Sequence, residues 1–218
     1  MQIEMVLNGW GGRREGAGRK RDPKARDPRH VARPVHVARH PLHVVIRTLP
    51  DVPRLRSAEM LHAIRRGIAN TCGVVEGFRV CHVSVQHNHI HFVIEARDTE
   101  TRTRGMLSLT VALARSINRE AGRGGKVFAY RYYATSITTP RQMRNTLSYV
   151  LNNWRHHRED RQSAAARAAA YDWYATASRC GHWSSSAKIA CAEFAVSAPE
   201  TWLLATGWWK MHGPITPT

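Results

Sequence analysis

Apolar residues return along this chain with two different periods, and the changes between them mark out its elements. From Pro41 the run "PLHVVIRT" is rich in β-branched residues and predicts a strand. In "SAEMLHAIRRGIANT" the residues Met60, Leu61, Ile64 and Ile68 fall at helical spacing, with Ser57 as N-cap. "FRVCHVSV" and "HIHFVIEA" read as second and third strands around a bend at Gln86–Asn88. Helical spacing returns at Met106, Leu109, Leu113 and Ile117, and the following glycines stop that helix. "KVFAYRYYATSI" predicts a fourth strand. In "TPRQMRNTLSYVLNNWRHH", Thr139 caps, Pro140 takes the first helical position and Gln142 completes a capping box. The buried stripe of that helix is Met143, Leu147, Val150, Leu151 and Trp154. The order β-α-β-β-α-β-α predicts an α+β fold, a ferredoxin-like split βαβ with an antiparallel sheet flanked by helices and one helix added.

The two ends read differently. Residues 8–34 are rich in Gly, Arg and Pro and poor in apolar side chains. Residues 1–40 are expected to form a flexible basic arm able to lie along DNA phosphates through Arg13, Arg14, Arg19, Lys20, Arg21, Lys24 and Arg26. Residues 41–158 then form the folded domain and 159–218 an extension. "RQSAAARAAA" is an alanine-rich connector, helical by propensity. Residues 171–218 hold five of the seven tryptophans, Trp173, Trp183, Trp202, Trp208 and Trp209. Large aromatics are mostly buried on average, so packing on the core is the first expectation and contact with unpaired bases the second.

Charge changes the picture more than composition does. Lys+Arg 33 against Asp+Glu 16 gives +17, and arginine, whose fork matches phosphate oxygens at two points, predominates. A polyanionic partner is expected; no basic amphipathic helix suggests an anionic membrane. The cysteines Cys72, Cys81, Cys180 and Cys191 make neither a CxxC pair nor a zinc spacing, which suggests reduced thiols. With no span-length apolar run and no signal-peptide h-region, the expectation is a cytoplasmic protein.

"HVSVQHNHIHFVIEA" carries four histidines, His82, His87, His89 and His91. Strand alternation puts Ile90, Phe92 and Ile94 on one face and His89, His91, Val93 and Glu95 on the other. Two parallel imidazoles suit one divalent metal or one phosphate; histidines on a solvated face are the plain alternative. On the helix from Pro140, Thr146, Tyr149, Asn153 and His157 lie off the apolar stripe, with Tyr149 one turn from Asn153. A tyrosine so placed can act as a nucleophile, or simply edge the core.

"NHIH" followed by "FVIEA" resembles the His-hydrophobic-His motif of the HUH single-strand nucleases. "YVLNN", after a strand and a Thr-Pro helix start, resembles the catalytic helix of single-tyrosine transposases, above all the REP-associated tyrosine transposases, over residues 40–158. The resemblance implies metal ligation by His89, His91 and Asn153, and Tyr149 as nucleophile. It further implies cleavage of single-stranded DNA beside a hairpin through a 5′-phosphotyrosine, by a monomer rather than a dimer. Ligation by nitrogen and oxygen without thiolate suits Mg²⁺ or Mn²⁺. Two departures stand out: His87 replaces a frequent proline, as an extra ligand or proton shuttle, and "NNWRHH" replaces "NNP". Two other readings stay open. His87, His89 and His91 also resemble the H-x-H-x-H of histidine-triad nucleotide hydrolases, and the chain can be a DNA-binding transposase remnant without catalysis.

Overall fold

The computed structural model describes residues 33–217. The basic residues assigned to DNA contact, Arg13 to Arg26, lie outside them. Four strands, β1 (Leu42–Arg47), β2 (Phe78–Val85), β3 (His89–Ala96) and β4 (Tyr133–Ser136), form one sheet in the order β2-β3-β1-β4, antiparallel throughout. Helices α1 (Ala58–Ala69), α2 (Thr99–Glu120) and α3 (Pro140–His156) follow β1, β3 and β4. This is the split βαβ arrangement with one added helix, as the periodicity predicts.

Local chemistry sets the helix starts. Ser57 Oγ accepts from the Met60 amide, Asp98 Oδ1 from Thr101 at 2.7 Å, and Thr139 Oγ1 from Gln142 at 3.2 Å. Each cap satisfies an amide that the first turn leaves without a partner. Gln142 reaches back one residue beyond its cap, its Oε1 accepting from the Thr138 amide at 2.9 Å.

The sheet is the middle layer of three. Val44, Ile46, Val83, Ile90, Phe92 and Ile94 pack with Met60, Ile64, Ile68, Met106, Leu109 and Leu113 of α1 and α2. Val93 and Cys81 face the other way, into a second cluster with Met143, Leu147, Val150 and Leu151 of α3. Cys81 reaches that cluster at a bulge between Val80 and His82. All eight residues of β3 are therefore buried, and its histidine face lies under protein rather than water. Close packing on the other side depends on Gly105 in α2, where an added Cβ would stand 2.1 Å from the Phe78 ring.

The predicted fourth strand is interrupted. Its first part is held to the end of β1, with Ala129 N donating to Arg47 O, and Tyr133–Ser136 then pairs with β1 as β4. The residues between leave the ladder. At a sheet edge such a break costs only the bonds on one side.

The connector is helical over Ala164–Ala168 alone (α4), after a short 3-10 turn. None of its residues is buried, so nothing offsets the cost of nucleating a longer helix. The extension beyond it packs closely. Val85 N donates to Tyr174 O, Thr176 N to Val83 O and Ser197 N to Val80 O, which covers the outer edge of β2. Arg56 and Asp172, both buried, form a two-point ion pair at 2.7 and 2.9 Å. Glu95 accepts from the Glu200 and Thr201 amides and from Thr201 Oγ1. Its carboxylate thereby anchors the turn that leads through Leu203–Gly207 into α5 (Trp208–His212). Trp208 is buried against α3, whereas Trp173 and Trp202 remain more than half exposed, so packing accounts for only some of the tryptophans. At the other end the packed chain reaches back to His36, whose Nε2 lies 2.8 Å from Ala96 O, and to Pro34, whose carbonyl accepts from Arg102. Among the described residues no helix is long and apolar enough to cross a membrane.

Candidate active site

The site lies where α3 crosses the histidine face of β3. His89 and His91 point from the strand, and Tyr149, Asn153 and His157 come down from the helix and its C-cap. His89 and His91 are T-shaped at 4.8 Å between ring centres, His89 and His157 at 5.0 Å, and His91 and Tyr149 at 5.5 Å. One ring nitrogen from each of His89, His91 and His157 lies within 4.8 Å of the others, a group able to hold a metal ion. Tyr149 is half exposed and borders a shallow groove of about 510 Å³ shared with Asn145, Ser148, Asn152 and Arg155.

Hydrogen bonds fix the rings. Asn153 Nδ2 stands 2.8 Å from His91 Nε2, and His91 Nδ1 stands 2.9 Å from His43 Nε2. An amide N–H can only donate, so His91 Nε2 carries its lone pair and His91 Nδ1–H donates to His43. His89 Nδ1 donates likewise to Asn88 Oδ1 at 3.0 Å, which leaves His89 Nε2 free as a ligand. Asn153 Oδ1 is buried without a hydrogen-bond partner among the described residues. With a cation bound, a half-turn of the amide would release His91 Nε2 from Asn153 Nδ2 and bring that oxygen beside it. Two imidazole lone pairs, a third imidazole and an orphaned amide oxygen fit a divalent cation.

The electrostatics keep these rings neutral, the form that binds metal. Burial pushes His91 down to about 2, with the neighbouring His89 and His43 adding to the effect. Burial lowers His43 to about 4 and, with His157, Arg47 and His87, lowers His89 to about 4. His157 is also lowered, first by burial and then by His156.

Of the residues singled out in the sequence, Tyr149, His89, His91 and Asn153 are brought together. His87 is exposed in the turn before β3 and outside the histidine group, so the H-x-H-x-H run does not converge on one point. His157 joins instead. It can do so because "WRHH" stands where a proline would end the helix: α3 runs to His156, and His157 is its C-cap. His82 is a buried core residue beside Thr176 Oγ1 at 3.3 Å. His43 escaped the sequence reading; its only signal there is a histidine amid the apolar residues of β1, and its partner is far along the chain.

Strand histidines thus face a helical tyrosine across a split βαβ sheet, and the sequence supplies the class of protein. The family described as "Transposase IS200 like" matches residues 36–153. The chain belongs to that family of IS200-like transposases. Among solved structures, a REP-associated tyrosine transposase bound to a REP hairpin is 12% identical, with 58% of this chain and 73% of that one covered and a TM-score of 0.48. A candidate transposase from Deinococcus radiodurans R1 is 17% identical, with 57% and 92% covered and a TM-score of 0.36. A bacterial tRNA(His) guanylyltransferase-like protein in complex with GTP is 12% identical, with 62% and 69% covered and a TM-score of 0.42. No curated protein matches the chain.

Proposed function

We propose that this transposase cleaves and rejoins single-stranded DNA next to hairpins, with Tyr149 as the nucleophile. The observation that carries the reading is the Tyr149 ring set edge-to-face with His91, 5.5 Å away, half exposed beside the groove lined by Asn145 and Ser148. In cleavage Tyr149 Oη attacks the scissile phosphorus, the bond from phosphorus to O3′ breaks, and the 5′-phosphate stays on the tyrosine. The phenolic proton passes to solvent, and the departing 3′ oxygen takes one up. In rejoining, an incoming 3′-OH attacks the phosphotyrosine and Tyr149 regains its proton, so no external energy source is needed.

His89, His91, Asn153 and His157 would hold a divalent cation, Mg²⁺ or Mn²⁺, which would offset the charge growing on the phosphate oxygens. His43 keeps His91 in the tautomer that presents Nε2. The reading takes the protein as a monomer in which Tyr149 meets the histidines of its own chain, with the Tyr149 and His91 rings 5.5 Å apart. The test is a denaturing gel of a labelled DNA hairpin with an unpaired flank, incubated with Mn²⁺ or with chelator. A protein-linked band should form only with the cation, and only when the label lies 3′ of the cut; a band independent of metal, or one carrying the 5′ side, overturns the reading.

The basic arm adds to this function. Residues 1–34 supply phosphate contacts through Arg13, Arg14, Arg19, Lys20, Arg21, Lys24 and Arg26. Deleting them should reduce the slope of log affinity against log salt by about 0.7–0.9 for each phosphate no longer neutralised, and an unchanged slope would assign DNA binding to the folded part alone.

A further inference from the structure

The sheet face that carries the histidines continues past them to β4, the edge strand among the described residues. Val45 of β1 lies opposite His91 on one side and opposite Tyr133 of β4 on the other. Directly opposed residues of antiparallel strands project to the same face, so His91, Val45 and Tyr133 form one row across the sheet. Packing agrees with this parity: the flanking Tyr132 and Ala134 lie against the opposite core. Two strand spacings place the backbone of Tyr133 about 10 Å from that of His91.

Tyr133 is 68% exposed, so its ring contributes little to the core. In the neighbouring row Arg47 stands directly opposite His89. Arg47 is exposed and forms no ion pair among the described residues. An unemployed guanidinium thus stands between the histidine group and an exposed phenol ring at the sheet edge. The face offers, in sequence, a cleavage centre, a phosphate clamp and a flat aromatic.

We propose that Tyr133 is a stacking platform for an unpaired base of the strand whose phosphate enters the site, with Arg47 holding the intervening phosphate. This rests on the proposed function. The occupant is single-stranded DNA: the positive charge demands phosphate, and only an unpaired base offers its π-face to a ring at a sheet edge. A duplex keeps those faces stacked, so the platform selects the unpaired flank beside a hairpin rather than the hairpin stem.

The experiment compares two probes, an oligo(dT) strand and an abasic strand of the same length, with wild-type protein, Tyr133→Ala and Tyr133→Trp. Anisotropy is read at a salt concentration that weakens the distributed phosphate contacts. Tyr133→Ala should weaken oligo(dT) binding about ten-fold, the loss of one stacked base, and leave the abasic strand unchanged. Tyr133→Trp should keep oligo(dT) affinity. Equal binding of oligo(dT) by Tyr133→Ala and wild type overturns the platform, as does an equal loss on both probes; in either case the phosphotyrosine assay stands untouched. Wild-type protein that binds neither strand overturns the platform and the proposed function together.

Discussion

Asn153 of α3 and His91 of β3 meet at 2.8 Å, a direct hydrogen bond between the helix that carries the tyrosine and the strand that carries the histidines. Behind His91 the chain of rings continues to His43 at 2.9 Å, whose ring also stacks on it at 15° and 5.2 Å. His43 therefore controls which nitrogen of His91 faces Asn153 without reaching the reacting atoms.

His43→Phe separates those roles. The phenyl ring keeps the stacking but cannot accept from His91 Nδ1, so the tautomer and ring orientation are no longer held. Such supporting groups are worth about 10–100-fold in metal affinity. Mn²⁺ affinity, measured by calorimetry, should fall within that range while the unfolding midpoint in chelator changes little. Unaltered Mn²⁺ affinity would show that His91 needs no support.

Gly105→Ala probes the other face of the sheet. Its new methyl would be driven into the Phe78 ring, whose nearest atoms stand 2.1 to 2.6 Å from the Cβ position. Overpacking of this kind costs about 1–3 kcal/mol. Denaturant unfolding should show that loss, while the histidine face, on the far side of the sheet, should retain its Mn²⁺ affinity. A variant as stable as wild type would mean that α2 can shift away from β2 freely.

Much of this was legible along the chain, and the limits have physical causes. Alternation in β3 separated Ile90, Phe92 and Ile94 from the histidines, and the i, i+4 relation put Asn153 one turn from Tyr149, because both patterns are local. His43 was not legible: its contact with His91 depends on the β1–β3 register, which brings together residues 48 apart. His157 was visible on the right flank of the helix, but its approach to His89 depends on how far α3 runs before it ends. The break before β4 follows from its place at the sheet edge, which no periodicity reports. The exposure of Trp173 and Trp202 likewise depends on where the extension lies, beyond the reach of an average preference for burial.

The histidines also predict a pH dependence of stability. His43, His82 and His89 sit near 4 and His91 near 2 in the fold, all lowered from 6.5 mainly by burial. Below pH 6.5 the unfolded chain takes up protons that the folded chain refuses, so stability rises with pH across this window and falls on acidification. In chelator, the denaturant midpoint should drop steadily from pH 7 to pH 5, where most carboxylates are still ionised. The loss should continue towards pH 4, where three of the four rings become charged in the folded protein too. A midpoint constant from pH 7 to 5 would show these rings already protonated, or well solvated, in the native state.

Tyr149→Phe tests the centre of the site with the smallest change. Tyr149 lies off the apolar stripe of α3 and is 46% exposed, so its hydroxyl contributes little to the fold. Removing one oxygen should therefore leave the unfolding midpoint and the affinity for a DNA hairpin with an unpaired flank within about two-fold, since affinity comes chiefly from phosphate contacts. The protein-linked band should vanish, because phenylalanine has no atom able to attack phosphorus. His91→Ala offers a contrast: it keeps the tyrosine but removes a ligand, so the band should disappear at low Mn²⁺ and return in part as Mn²⁺ is raised. Tyr149→Phe should not respond to Mn²⁺ at any concentration. Should Tyr149→Phe still form the linked product, the nucleophile is another side chain, and exposed Tyr130 and Tyr133 would be the next to replace.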